Sequence, residues 1–198
     1  MTISTHQNTG RAAALKAATR AAHETLDARM MAAGPFRDAG RYATYLKLQR
    51  RFFALVHPLY REPALKEAFE GLENLSRLAA TDADLATLGV APETHAEALS
   101  VPAPQALGWL YVAEGSRLGG AFLAVEAEKL GFGPTSGARH LADSEEGRGR
   151  AWNAFRRQLD AIPLTPEEEG EAVAGAVAAF DFMLAATDEA FGPLPESA

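Results

Sequence analysis

Lys16, Arg20 and His23 are the residues of this chain whose types and spacing could do chemistry together. In a helix turning about 100° per residue, positions i, i+4 and i+7 fall within roughly 60° of one another. Arg20 and His23 then lie about 6 and 10.5 Å from Lys16 along the axis. A nitrogen ligand with two positive charges beside it suits a flat metal macrocycle that carries carboxylates. Haem is such a molecule, since its iron takes an axial imidazole and its propionates bind Lys or Arg. The same residues also describe a solvent-facing basic stripe with an incidental histidine. Spacing alone leaves both readings open.

A second informative stretch runs from Gly108 to Gly120, GWLYVAEGSRLGG. Each of its four glycines costs a helix about 1 kcal/mol relative to alanine. Gly108, Gly115 and Gly119 share one helical face, with Ser116 and Gly120 at its border. A face without side chains admits either a flat ligand or another backbone. The adjacent pair Gly119-Gly120 also invites a kink.

These residues need helices to position them, and the sequence supplies helical signals throughout. Arg11 to about Ala33 reads as a helix ended by Gly34-Pro35. Asp38 can cap a second helix that runs to about Val56, where His57-Pro58 closes or kinks it. Shorter helices are expected near 64–71 and 75–89, and a long one over 105–130 that stops at Gly131-Phe132-Gly133-Pro134. Residues 135–142 read as a loop. A further helix is expected from Asp143 or Ser144 to Ala161. The last opens with Thr165-Pro166-Glu167-Glu168, which combines an N-cap, a first-turn proline and a capping-box glutamate, and should reach Ala190. The expected architecture is an all-α, single-domain helical bundle over 11–192 behind a disordered tail, 1–10.

Composition narrows the chemistry. Among 198 residues there is no cysteine, which removes disulfides, thiolate metal sites and thiolate-ligated haem. The first ten residues lack the apolar core of a secretory signal, and the apolar segment 103–130 is interrupted by Glu114, Arg117, Glu126 and Glu128. A soluble, cytoplasmic protein with no membrane partner is expected. The net charge is −7, yet residues 1–60 hold nine Lys/Arg against three Asp/Glu and residues 61–198 ten against twenty-three. A basic third on an acidic chain argues against nucleic-acid binding and suits a small anionic ligand or an acidic partner protein. Glu-x-x-His pairs of the di-iron bundles are missing, as are dinucleotide and P-loop fingerprints. His6, His57, His95 and His140 read as surface or capping residues, and Glu126, Glu128 and Glu167 to Glu169 as solvated charge.

Leu15-Lys16-x3-Arg20-x2-His23-x2-Leu26-Asp27 resembles the proximal helix of haem oxygenases. Tyr111 to Gly120 resembles their distal helix, especially in the bacterial, biliverdin-producing members found with bacteriophytochromes. The two motifs occur in the expected order and separation, and the resemblance covers most of the chain. It implies that His23 is the axial iron ligand and that haem b is both cofactor and substrate. Lys16 and Arg20 become propionate partners and Tyr111 a haem contact. Gly115, Ser116, Gly119 and Gly120 become the distal wall. Arg156, in Phe155-Arg156-Arg157, falls where the family supplies another cation to a propionate. The chain departs from the family at Trp152, where mammalian members carry lysine, and at Ser116, where many carry aspartate to organise water.

The resemblance further implies degradation of haem to biliverdin, carbon monoxide and ferrous iron, with electrons from an external donor. That donor would be a ferredoxin or flavodoxin served by a reductase, docking near Lys16, Arg20, Lys47, Arg50 and Arg51. A bacteriophytochrome is the expected recipient of the bilin. Two rival readings stand beside this one. One is a non-catalytic haem carrier or sensor, and the other a thiaminase-like helical enzyme acting on a non-haem small molecule.

Overall fold

The computed structural model describes residues 10–92 and 98–192. Among these the chain is all-α: eight helices and four short 3-10 turns, with isolated bridges at Gly133 in place of any strand. Helix α1 spans Arg11–Ala33 and ends at Gly34, whose φ of +57° turns its N–H back onto the Met30 and Met31 carbonyls. Helix α2, Ala39–Val56, starts where the Asp38 carboxylate accepts from the Arg41 N–H at 2.8 Å. A 3-10 turn, His57–Arg61, follows it at Pro58, and then come α3 (Pro63–Ala68), the turn Leu72–Asn74 and α4 (Leu78–Thr87).

The long helix expected over 105–130 is two helices. Helix α5, Ala103–Gly115, gives way to a 3-10 turn at Ser116–Gly119, and α6, Gly120–Lys129, resumes beyond it. The break in α-helical hydrogen bonding therefore sits at the glycine-rich end of the motif, where helical propensity is lowest. The expected loop 135–142 contains a 3-10 turn, Arg139–Leu141. Helix α7 is shorter than expected and covers Arg148–Ala161, because Gly147 adopts φ +87°, outside the helical region. Helix α8, Pro166–Phe191, carries the expected capping box: the Thr165 hydroxyl accepts from the Glu168 N–H, and the Glu168 carboxylate accepts from the Thr165 N–H.

Helix α8 organises the bundle by packing against both α5 and α1. Its buried face is made of small residues, Ala172, Gly175, Ala176 and Ala179, so the α5 backbone comes very close. A Cβ on Gly108 would sit 2.1 Å from the Ala172 carbonyl oxygen, and one on Gly175 2.1 Å from that of Gln105. Gly108 thus serves helix–helix contact and is no part of a ligand face. By length and composition α8 could cross a membrane, but its apolar stripe is the one that packs on α1 and α5.

The larger core joins Leu15, Phe52, Phe53, Trp109, Leu110, Phe155 and Phe180. Each fully buried Leu or Phe contributes about 2 kcal/mol. A smaller one gathers Tyr42, Tyr45, Leu46, Leu85, Ala138 and Leu141 under α6. His140 belongs to this region and is buried, not superficial: its Nδ1 lies 2.8 Å from the Asp84 carboxylate. The same carboxylate also accepts from the Arg139 and His140 backbone N–H groups. Burial lowers the His140 pKa against the pull of Asp84, and its buried Nε2 has no hydrogen-bond partner among the described residues, so the ring is neutral. His57 does act near a helix end, paired with Ser76 Oγ at 2.8 Å. His6 and His95 lie outside the described residues.

Candidate functional site

Helix α1 is fixed at both ends by arginines. At its start the buried Arg11 guanidinium donates to the Leu159 and Ile162 carbonyls and pairs with Glu169 at 2.8 Å. Near its end the buried Arg29 pairs with Asp188 at 2.5 Å and donates to the Gly192 carbonyl. Glu169, read from sequence as solvated charge, is therefore part of this clamp, and Glu168 part of a cap. Between the clamps α1 presents an exposed stripe that holds Lys16, Arg20, His23 and Asp27.

His23 is 60% exposed, and its Nδ1 lies 2.9 Å from an Asp27 carboxylate oxygen. The ring meets the edge of Phe180 on α8, with centroids 5.7 Å apart. With Nδ1–H donated to Asp27, Nε2 is left as the free lone pair. A metal-binding histidine almost always has such a partner, which fixes its tautomer and raises its basicity. Asp27 was quoted in the motif but assigned no role from sequence, although its i+4 spacing from His23 was the available signal. Lys16, Arg20 and Arg156 are all exposed and hold no ion pair among the described residues. Arg50 and Arg51, by contrast, are paired with Asp82 and Glu189, both at 2.6 Å.

The distal glycines separate into different roles. A Cβ on Gly119 would meet nothing within 4 Å, and one on Gly115 would touch the Trp152 ring at 3.5 Å. A Cβ on Gly120 would lie 2.5 Å from Arg148 Nη1. Only Gly119 of the three faces open room. Beside it Leu118 and Phe122 are exposed apolar side chains, at 45% and 55%. Tyr111 is half-buried against Trp152, centroids 5.5 Å apart, and burial pushes its phenol pKa up.

Ser116 is tied to a buried polar network that the sequence did not announce. Its hydroxyl donates to the Ala113 carbonyl at 2.8 Å, and its oxygen accepts from Arg77 Nη2 at 2.7 Å. Its single proton is committed, so toward the open side it offers one remaining lone pair and acts as an acceptor. Arg77 also donates to the Ala113 carbonyl and stacks 4.3 Å over Phe53. Burial pulls its pKa down to about 10, which leaves it charged at neutral pH. Behind it Glu114, 3% exposed, accepts from Tyr60 at 2.6 Å and from Arg117 Nε at 2.7 Å. These two donors satisfy the hydrogen-bonding needs of the buried carboxyl group. The i,i+3 spacing of Glu114 and Arg117 was a local signal for their pairing, whereas Tyr60 and Arg77 come from other segments that no local spacing connects to them. A groove of about 180 Å³ behind the turn, lined by Glu128, Asp143 and Arg148 among others, contains none of the predicted site residues.

These features fit haem. An exposed imidazole with an orienting carboxylate, unpaired cations on the same helix and a turn with space where side chains would be are what an iron macrocycle with propionates requires. An all-helical bundle with such a stripe has the features of a haem-binding protein. A family model described as heme oxygenase matches residues 10–189. The chain is 40% identical over 181 residues to heme oxygenase PigA of Pseudomonas aeruginosa, covering 90% of this chain and 91% of the relative. It is also similar to the solved structure of the NO- and CO-bound heme oxygenase from Neisseria meningitidis, with TM-score 0.90 and 40% identity, covering 96% of this chain and 98% of that one. This chain belongs to the haem oxygenase family.

Proposed function

We propose that this chain degrades haem to biliverdin, carbon monoxide and ferrous iron, using dioxygen and electrons from an external donor, in a pocket between α1 and the Ser116–Gly119 turn. Haem is substrate and prosthetic group at once. When bound, it supplies the iron that activates dioxygen against its own ring. His23 Nε2 would hold the iron, with Asp27 keeping the ring in the tautomer that presents that nitrogen. Lys16, Arg20 and Arg156 pair with propionates, and Tyr111 contributes a haem contact beside Trp152. Gly119 lets backbone approach the distal side, whereas Gly115 borders that wall with its missing side chain facing Trp152. Gly120 borders that wall, but its missing side chain makes room for Arg148.

Ser116 takes the place of an acid without being one. As an acceptor fixed by Arg77 it receives one hydrogen of a distal water and leaves the other directed into the pocket. The side of the pocket thus gains a weak donor and no strong acid.

The His23–Asp27 pair carries this reading. Haemin added to the purified protein should give an imidazole-ligated spectrum. Supplying electrons and air should bleach it and yield a bilin identifiable by chromatography. Stable ferrous haem under those conditions would make the chain a carrier or sensor. Membership of the family sets aside the thiaminase-like alternative.

The electron donor is proposed to be a small acidic ferredoxin or flavodoxin with its reductase. The basic balance of residues 1–60 supports this, whereas the ion pairs of Arg50 and Arg51 remove those two from an open basic patch. A bacteriophytochrome as bilin recipient rests on the 111–120 motif. A soluble, cytoplasmic location accords with the packing of the α8 stripe inside the bundle.

A further inference from the structure

Gly120 is a glycine that its backbone does not require. Its φ of −59° and ψ of −24° suit any residue, yet it is buried. What fills the room of its missing side chain is the guanidinium of Arg148, at the start of α7. Arg148 Nη2 donates to the Leu141 carbonyl at 2.6 Å, and Nη1 reaches the Arg117 carbonyl at 3.3 Å. The Arg117 carbonyl belongs to the 3-10 turn and accepts from the Gly120 N–H as well. One side chain therefore joins the distal turn to the Arg139–Leu141 turn, which Asp84 in turn fixes through two backbone N–H groups. One helical turn further along α7, Trp152 abuts Gly115 at the other end of the distal turn.

We propose that Arg148 is a positioning residue that sets the distal wall, and that Gly120 is small in order to admit it, not to admit the substrate. The inference rests on the Ser116–Gly119 turn being that wall. Arg148 acts through the Arg117 carbonyl. Two carbonyls some distance apart need a planar, forked donor, so lysine replaces it only in part.

The test is a double-mutant cycle between Gly120→Ala and Arg148→Ala, with Arg148→Lys beside it. On ligand-free protein the readouts are the thermal midpoint and the amide NMR signals of Ser116 and Gly119. On haem-loaded protein they are the ferric absorption spectrum, kcat and KM. Gly120→Ala alone should lower the midpoint and shift both amides, whereas in the Arg148→Ala background it should change neither. Arg148→Ala should alter the ferric spectrum and lower kcat about tenfold with KM within about twofold, the pattern of displaced geometry with binding preserved. Arg148→Lys should fall between. Additive effects of the two substitutions on the ligand-free protein would overturn the proposal, as would unchanged kcat and spectrum in Arg148→Ala. A Gly120→Ala defect seen only with haem bound would return Gly120 to the substrate face and overturn it too. If Arg148→Ala does not fold, Gly120→Ala and Arg148→Lys carry the same comparison. Failure of the functional reading is distinguishable, because wild-type protein would then not take up haem.

Discussion

The two walls of the proposed pocket are built by opposite means. The proximal wall is one unbroken helix of 23 residues, anchored at its two ends by Arg11 and Arg29 and free along the stripe between. The distal wall is a helix that breaks for four residues, with Ser116, Ala113 and Arg117 held by guanidinium groups from elsewhere. An axial ligand needs a fixed direction, and helix geometry provides that locally. A wall that must approach a flat ligand gives up side chains and regular hydrogen bonds, and the exposed carbonyls then need donors from outside. Arginine suits that task because one fork reaches more than one acceptor.

The sharpest way to break the comparison is His23→Ala. Turnover and the imidazole-ligated spectrum should both vanish, while the ligand-free unfolding free energy stays within about 0.5 kcal/mol, as for an exposed residue. Retained bilin formation would remove the proximal wall as defined here. Asp27→Asn should act in the same direction at a smaller scale, lowering haem affinity or turnover about ten- to a hundredfold. A shift in iron–imidazole bonding seen by resonance Raman is the check, and an unchanged band would deny Asp27 its role.

Glycines separate structure from function on the distal side. Gly108→Ala should destabilise the protein by about 3 kcal/mol, since the new methyl meets backbone 2.1 Å away. Gly119→Ala should leave the unfolding free energy within about 0.5 kcal/mol and still slow bilin formation. The reverse pattern would mean that the open side is at Gly108.

The smallest effect is that of acid on the distal scaffold. His140 and His57 both have pKa values lowered by burial, so the unfolded chain binds more protons than the native one just below about pH 6.5. Their contribution to stability is complete above that value and is lost as pH falls through the folded pKa. The thermal midpoint should therefore decline below pH 6.5, and His140→Gln should flatten the decline. An equal slope in the variant would assign the loss to other groups.

Much of the proximal side was legible because its information is local. Helical spacing put Lys16, Arg20 and His23 on one stripe, and Asp27 was within reach of the same rule. The Asp38 cap, the Gly34 stop and the Thr165–Glu168 capping box were also readable within a few residues of one another. The distal side was legible as a motif and not as a mechanism. Gly108, Gly119 and Gly120 look alike in sequence, yet one meets backbone, one meets open space and one meets a guanidinium. The start of α7 was misplaced because nothing in Asp143 to Glu146 forbids a helix, whereas Gly147 in the fold does.

By itself the sequence determined the helical class, the ligand chemistry and the positions of most helix ends, because caps and the 3.6-residue period act over a single turn. Tertiary structure decided which side chains hold the distal turn. Arg77 reaches Ser116 across 39 positions, Arg148 reaches Arg117 across 31, and Asp84 holds His140 across 56. Contacts at that range depend on how α4, α5 and α7 come together, and packing among helices leaves no periodic trace along the chain.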